Sequence, residues 1–196
     1  RIFNRLYGDY YKVYKQKGNV TWDTEIITKQ KFINGAYLKF KHLSASENGA
    51  YMLGFTDGNL NSSYTDIDYA FYMKENTYEI QIYESNTAPF QGGIRKINDI
   101  FEIIYDGNSV RYYQNNNLLR ITYPNNNDLQ LNLDSSLLNY TSSELFQIIE
   151  LGDFDIPYFT GGASSITTTE YKFNYPDVVL DLQNDANTTI SPNYIV

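Results

Sequence analysis

The sequence predicts an all-β domain, built as a sandwich or barrel of antiparallel strands. Short runs rich in Tyr, Phe, Ile and Thr recur at roughly the 8–12-residue spacing that is typical of such folds. Turn-forming Gly and Asn separate these runs, and no segment shows convincing helical periodicity. The composition agrees, because 20 Tyr and 11 Phe in 196 residues favour half-buried pleated surfaces.

The predicted strands follow one another with short connections. The strongest local signal is Asp106-Gly107, a hairpin turn between two aromatic runs. Residues 85–93 contain Pro89 and Gly92-Gly93, which predict a loop followed by a short edge strand. The predicted strands occupy residues 10–15, 20–22, 25–32, 36–43, 51–55, 67–73, 78–83, 94–97, 101–105, 110–113, 118–123, 129–134 and 145–151.

The chain is predicted to divide near residue 151. Residues 1–151 form the sandwich, and residues 152–196 are an extended C-terminal tail or the start of a following module. The strand-like runs 171–173 and 178–182 have no obvious partner, and residues 183–196 are expected to be ordered only when another chain holds them. Because the sequence opens on Arg1, we expect a piece of a larger polypeptide or assembly.

Composition excludes several classes of function. The chain has no cysteine and one histidine, His42, which removes thiol chemistry and any multi-histidine metal site. The net charge of −8 and the pI near 4.6 argue against nucleic-acid binding, which needs clustered Lys and Arg. No apolar run approaches the length of a membrane span.

Several segments appear in a recognisable order over roughly residues 11–151. They are Gly54-Phe55 before a polar loop, residues 65–70, residues 80–85, residues 101–103 with 106–112, Asn116-Asn117, and residues 131–137. This order resembles the concanavalin A-like lectin and glucanase jelly-roll domains of bacterial surface, phage-tail and large-virus proteins. The resemblance implies a jelly-roll sandwich of two antiparallel sheets with a C-terminal extension. It does not select a function, because the fold hosts lectins, glycanases and packing modules.

The glycanases that share this fold imply one catalytic hypothesis. They carry a nucleophile Glu and an acid/base Glu five positions later, with an Asp between them, and Glu79 and Glu84 have that spacing. Gln81 stands where the Asp is required, and residues five apart in a regular strand face opposite ways. We therefore expect that the chain is not an enzyme.

Sugar binding is the alternative use of this fold, since a flat aromatic ring covers the apolar face of a pyranose. Amide side chains then bond the sugar hydroxyls. The candidate ligand-binding residues are those aromatic and amide residues that lie near predicted loops: Tyr64, Phe90, Tyr112, Tyr113, Asn115 and Asn116.

The sequence does not decide whether the chain binds calcium. Asp57, Asn59, Asp66 and Asp68 could supply oxygen ligands, or they could cap loops and face solvent. No metal or cofactor is expected.

The preferred hypothesis is a non-catalytic carbohydrate-binding or adhesion module of a surface, phage-tail or virion protein. A structural packing module without sugar binding is the alternative, and a glycoside hydrolase using Glu79 and Glu84 is the second alternative. The expected partners are a glycan or neighbouring protein subunits, and the expected location is extracellular, at a cell surface or in a virion.

Overall fold

The computed structural model describes residues 11–15, 20–33, 35–45, 49–58, 63–138, 144–152, 182–184 and 188–191. One three-residue 3-10 helix, Tyr64–Asp66, interrupts the strands of this described part, and no helix there is long and apolar enough to cross a membrane. The strands are β1 (Tyr11–Lys15), β2 (Ile26–Thr28), β3 (Ala36–His42), β4 (Tyr51–Thr56), β5 (Tyr69–Met73), β6 (Glu79–Glu84), β7 (Thr87–Ile94), β8 (Ile100–Tyr105), β9 (Val110–Gln114), β10 (Asn117–Thr122), β11 (Asn132–Leu137), β12 (Phe146–Gly152), β13 (Leu182–Asn184) and β14 (Thr188–Ser191).

Two antiparallel sheets face each other across one hydrophobic core. The larger sheet has the strand order β10-β9-β8-β3-β12-β1-β14, and the smaller has the order β11-β4-β5-β6-β7. A separate two-stranded ribbon joins β13 to β2. The predicted all-β sandwich of two antiparallel sheets is therefore confirmed.

Aromatic rings fill the centre of the core. Phe40 projects from β3 and stacks on Phe101 at a centroid distance of 5.3 Å. Phe71, from the opposite sheet, meets these two rings edge-on at 6.0 Å and 5.0 Å. Such tilted contacts suit the charge distribution of aromatic rings and add to the benefit of burial. The aromatic runs in the sequence therefore supply the contact between the two sheets.

His42 continues the inward face of β3 and belongs to the core. Its Nδ1 lies 2.9 Å from the Tyr51 hydroxyl, and its ring stacks on that of Tyr51. Burial, reinforced by the charge of Arg95, lowers the pKa of His42 to about 4. The imidazole is therefore neutral at physiological pH and serves as a packing residue.

The prediction of a loop over residues 85–93, followed by an edge strand over residues 94–97, is wrong in both parts. Residues 87–94 form β7, and the strand ends at Ile94, where the 94–97 strand was expected to begin. β7 is the last strand of the smaller sheet, and an edge strand tolerates Pro89 because one side of its backbone is unpaired. Its pairing with β6 shifts register at two places, and the first shift lies at the glycines, between Gly93 and Gln91.

β11 is buried along its whole length. Its sequence alternates like a strand with one solvated face, yet Asn132 and Asp134 are as buried as Leu133. Residues 24–32 run along its open edge, with bridges from Thr24 to Leu137 and from Phe32 to Leu131. Between these bridges, the Asn132 side-chain amide donates to the Thr28 carbonyl at 2.7 Å. The segment before β3 thus protects the edge of the smaller sheet.

The C-terminal strands have partners within this chain, which corrects the expectation that they need another one. β13 pairs with β2, and β14 pairs with β1 from Thr188–Lys15 to Ser191–Lys12. A single sequence does not reveal such pairings, because the paired residues lie between 154 and 179 positions apart. The 171–173 run and residues 153–181 lie outside the described residues.

Candidate binding face on the smaller sheet

Four aromatic side chains gather on the outer face of the smaller sheet. Trp22 lies 5.3 Å from Tyr64 and 5.7 Å from Tyr72, between ring centroids, and Tyr64 lies 6.1 Å from Tyr83. We call Trp22, Tyr64, Tyr72 and Tyr83 the aromatic cluster. All four side chains are half-buried, so each ring packs on the protein and keeps part of its surface accessible.

Strand alternation explains why Tyr72 and Tyr83 point outward. On β5, Phe71 faces the core and Tyr72 the opposite side, and on β6 Ile82 and Tyr83 divide in the same way. The rings pack on a buried floor of Met52, Ile67 and Ala70. The Tyr72 hydroxyl donates to the Glu75 carboxylate. Burial raises the pKa of Tyr72 and of Tyr83, so both hydroxyls stay protonated at neutral pH.

Tyr64 is positioned by the short 3-10 helix. The Ser63 hydroxyl caps this helix by accepting from the Thr65 amide at 3.3 Å. At the other end, the Thr56 hydroxyl donates to the Asp66 carbonyl at 2.6 Å, which ties the helix to β4. Tyr64 is therefore held over the sheet by hydrogen bonds to its backbone neighbours.

Trp22 is held over the sheet by a buried lysine. The ammonium group of Lys15, fully buried on β1, forms an ion pair with Asp23. It also donates to the Thr21 carbonyl at 2.9 Å and to the Leu137 carbonyl at 3.3 Å, at the end of β11. These bonds reach the residues on both sides of Trp22, and so fix the segment that carries it.

Lys15→Met is expected to release this segment. The substitution keeps the length of the buried stem and removes the charged donor, so a loss of about 2 kcal/mol in unfolding free energy is expected. Trp22 is the only tryptophan, so its emission should shift to longer wavelength as the ring becomes more exposed. Lys12→Met is the matched control, since Lys12 is partly exposed and pairs with Glu144 at 3.2 Å. Equal effects of the two variants would contradict this role of Lys15.

A buried carboxyl group shares the outer face with the aromatic cluster. Asp134 on β11 lies opposite Gly54 on β4, which lies opposite Ala70 on β5 and then Tyr83 on β6. Asp134 has no exposed surface, and neither carboxyl oxygen has a side-chain hydrogen-bond partner within the described residues. Burial raises the pKa of Asp134 to about 8, opposed by the Ser135 amide and reinforced by three neighbouring carboxylates.

The structure does not bring the predicted ligand-binding residues together. Tyr64 belongs to the aromatic cluster. Tyr112 is fully buried in the core, where it meets Phe71 edge-on at 5.6 Å, so it offers no ring surface to a ligand. Phe90 packs against the same core from β7. Tyr113 alternates with the inward Tyr112 and faces outward on the larger sheet, on the opposite side of the sandwich from Tyr64.

Asn115 and Asn116 form the tight turn between β9 and β10. Both have positive φ, 49° and 65°, which asparagine tolerates better than most residues. The Asn115 side chain accepts from the Ile100 amide at 2.9 Å and donates to Asp99 at 2.8 Å. Their conformation and these bonds account for both residues as turn formers.

Glu79 and Glu84 lie on opposite faces of β6. Glu84 points inward and is bound by Arg120, with 2.9 Å between Nη2 and Oε2. Glu79 points outward and pairs with Lys74 at 3.2 Å. The pairing of β6 with β5 is regular, so no bulge turns the two carboxylates to one side. This geometry does not assemble the retaining-glycosidase pair.

The acidic residues considered for calcium have roles in the loops. Asp68 accepts from the Asp57 amide at 2.8 Å, and the Asp57 carboxylate accepts from the Gln130 amide at 3.0 Å. Among the described residues, no group of three or more His, Asp or Glu is placed to hold a metal ion. Asn59 lies outside the described ranges.

Known proteins resemble this chain in structure. No protein-family model matches the sequence, and no curated protein matches it. The heptameric SAP-like pentraxin from Limulus polyphemus is similar over 95% of this chain and 96% of its own, with a TM-score of 0.50 and 8% identity. The chain has the concanavalin A-like jelly-roll fold.

Two further solved structures match over most of their own length. The SPRY domain of human HERC1 covers 71% of this chain and 88% of its own, with a TM-score of 0.49 and 10% identity. The carbohydrate recognition domain of Emp47p covers 76% and 90%, with a TM-score of 0.43 and 12% identity. At 8% identity, the similarity to the pentraxin shows the fold alone.

Sequence reasoning missed Trp22, Tyr72, Tyr83 and Asp134. Tyr72 and Tyr83 carried a usable signal, because each alternates with an inward apolar residue and places a ring on the opposite face of its strand. Trp22 carried a weaker signal as the only tryptophan, in a segment predicted as a strand that forms a bend instead. Asp134 carried none, since its burial depends on residues distant in sequence.

Proposed function

We propose that the chain is a non-catalytic carbohydrate-binding module, and that the aromatic cluster is its binding face. The observation that carries the proposal is the set of four neighbouring half-exposed rings on one face of a rigid sheet. Sugars present apolar C–H faces to aromatic rings and hydroxyls to polar groups. The Tyr64 and Tyr83 hydroxyls, and Gln81, which pairs with Tyr72, are the polar groups that would bond the sugar hydroxyls.

The setting that we propose is a secreted, cell-surface or virion protein with an adhesive role. The acidic surface, with a net charge of −8, suits a protein that stays soluble at high local density. The separation of Glu79 and Glu84 supports binding without hydrolysis.

Tyr83→Ala is expected to weaken glycan binding about fivefold, since one aromatic contact contributes about 1 kcal/mol. Binding is first sought on a glycan array and then measured by titration of Trp22 emission. Tyr123→Ala is the control, because Tyr123 is 68% exposed and lies outside the aromatic cluster. Absence of binding to any glycan would reject the proposed function, and equal losses in the two variants would reject the binding face.

Packing in a larger assembly is the second candidate. Leu118 and Ile121 on the edge strand β10 are 48% and 39% exposed, and Tyr123 follows them. An edge strand with exposed apolar side chains favours association with another chain. Glycan binding in the titration above decides between the two functions.

A further inference from the structure

One hydroxyl group of the aromatic cluster is bonded to a carboxylate. Tyr72 donates to Oε2 of Glu75, a half-buried residue in the turn that follows β5. The ring of the same tyrosine meets Trp22 edge-on, at a centroid distance of 5.7 Å. The carboxylate of Glu75 therefore lies at the border of the rings that are proposed to bind a sugar.

Glu75 keeps one carboxylate oxygen open to a ligand. Its hydrogen bond with Tyr72 occupies Oε2, and Oε1 has no hydrogen-bond or ion-pair partner among the residues that the structure describes. Oε1 is not one of the buried polar atoms of this part of the chain, so water or a ligand can reach it. The Tyr72 hydroxyl is neutral, so its hydrogen bond leaves the negative charge of Glu75 in place.

The segments that carry the cluster offer no cation to an acidic ligand. Residues 20–25, 63–75 and 79–84 contain one lysine, Lys74, and no arginine. Lys74 pairs with Glu79 at 3.2 Å. Lys15, which holds the segment of Trp22, is fully buried and bound to Asp23 and to backbone carbonyls. An acidic group on a ligand would therefore meet the Glu75 carboxylate without a cation from these segments.

The chemistry of the ligand follows from these groups. An ionised carboxylate only accepts hydrogen bonds, and it accepts them more strongly than a neutral oxygen does. Sugar hydroxyls donate such bonds, and they carry no charge. A sugar that bears a carboxylate or a sulfate would instead bring two negative charges together beside the rings. A carboxylate next to aromatic rings therefore suits a neutral sugar.

We propose that Glu75 determines the specificity of the binding face, and that this face selects neutral sugars over acidic ones. The inference rests on the proposed function and names its ligand class. The sugar ring packs on the aromatic cluster, and one of its hydroxyls donates to Oε1 of Glu75. Oε2 keeps its bond to Tyr72, which holds the carboxylate beside the rings. Acidic sugars are rejected because their charge comes close to that of Glu75.

The test uses a glycan array on which neutral glycans stand beside counterparts that carry an added sialic acid or sulfate. The neutral glycan with the strongest signal and its acidic counterpart are then titrated by Trp22 emission. The neutral glycan is expected to bind at least about fivefold more tightly, which corresponds to about 1 kcal/mol. In about 1 M salt, where charges are screened beyond about 3 Å, this difference should largely disappear.

Glu75→Gln separates charge from shape, because the amide oxygen can still accept from Tyr72. This variant is expected to bind the neutral glycan about fivefold more weakly and to lose the preference, so that both glycans bind alike. Tyr72→Phe removes the hydroxyl and keeps the charge of Glu75, so it should retain the ratio of the two affinities. Asp128→Asn, which neutralises an exposed carboxylate in the loop before β11, controls for the net charge of the protein and should also retain the ratio.

The outcomes separate this inference from the proposed function. Equal binding of the neutral and acidic glycans, or tighter binding of the acidic ones, would overturn the selection of neutral sugars and leave carbohydrate binding intact. Failure of every glycan to bind would overturn both. A preference that survives in Glu75→Gln, or that persists at high salt, would overturn the role of the Glu75 charge. A preference that is lost in Tyr72→Phe would assign selection to the orientation of the Tyr72 ring instead.

Discussion

Gly54→Ala is expected to destabilise the protein by about 3 kcal/mol or more. A Cβ at Gly54 would lie 1.9 Å from the Tyr69 carbonyl oxygen and 2.6 Å from the Ala70 Cα. These are backbone atoms of β5, so no side-chain rotation relieves the clash, and the strand itself must move. A decrease in Tm of about 10 °C is expected in thermal unfolding followed by circular dichroism.

Gly58→Ala is the matched control for this prediction. Its added Cβ would lie 3.6 Å from the Thr56 hydroxyl, an ordinary van der Waals distance, so a change below about 0.5 kcal/mol is expected. Because Gly54 lies under the binding face, Gly54→Ala should also weaken glycan binding. A fully stable Gly54→Ala protein would show that β4 and β5 approach each other less closely than described.

Local patterns predicted the fold well where the strands pair with their neighbours in sequence. Asp106-Gly107 does form the turn between β8 and β9, with Gly107 at φ +87°, and the inward residues Phe101 and Tyr112 alternate as expected. The wrong predictions concern strands whose formation depends on their position in the sheets rather than on their own sequence pattern. β7 can be a strand because it lies at the edge of its sheet. β13 and β14 pair with strands from the start of the chain. A local sequence pattern reveals neither the edge position nor these pairings.

The candidate site was harder to predict for the same physical reason. Tyr112 and Tyr83 look alike in sequence, and only the position of the opposing sheet places one ring in the core and the other on the outer face. The Leu-Asn-Leu-Asp pattern before residue 135 is typical of a strand with a solvated face, yet residues 24–32 cover that strand. A binding face assembled from several distant segments is therefore visible only in the folded chain.

The last prediction concerns the pH dependence of stability. Burial, reinforced by nearby carboxylates, raises the pKa of Asp134 to about 8 from an ordinary 3.8. Below pH 4 both the folded and unfolded chains hold this proton, and the group has no effect. Between pH 4 and pH 8 only the unfolded chain loses the proton, so the contribution of Asp134 to stability falls as pH rises. The penalty reaches at most about 6 kcal/mol above pH 8.

Asp134→Asn removes this penalty and introduces a buried amide, which costs about 1–3 kcal/mol if it lacks partners. The variant should therefore be no more stable than the parent near pH 4, and more stable than it by about 3 kcal/mol near pH 8. Urea unfolding at several pH values measures the difference, and Asp128→Asn controls for the loss of one carboxylate. A constant difference across this pH range would mean that Asp134 is ionised in the folded chain. The predicted profile would instead show that the fold tolerates a destabilising buried acid on the outer side of the smaller sheet.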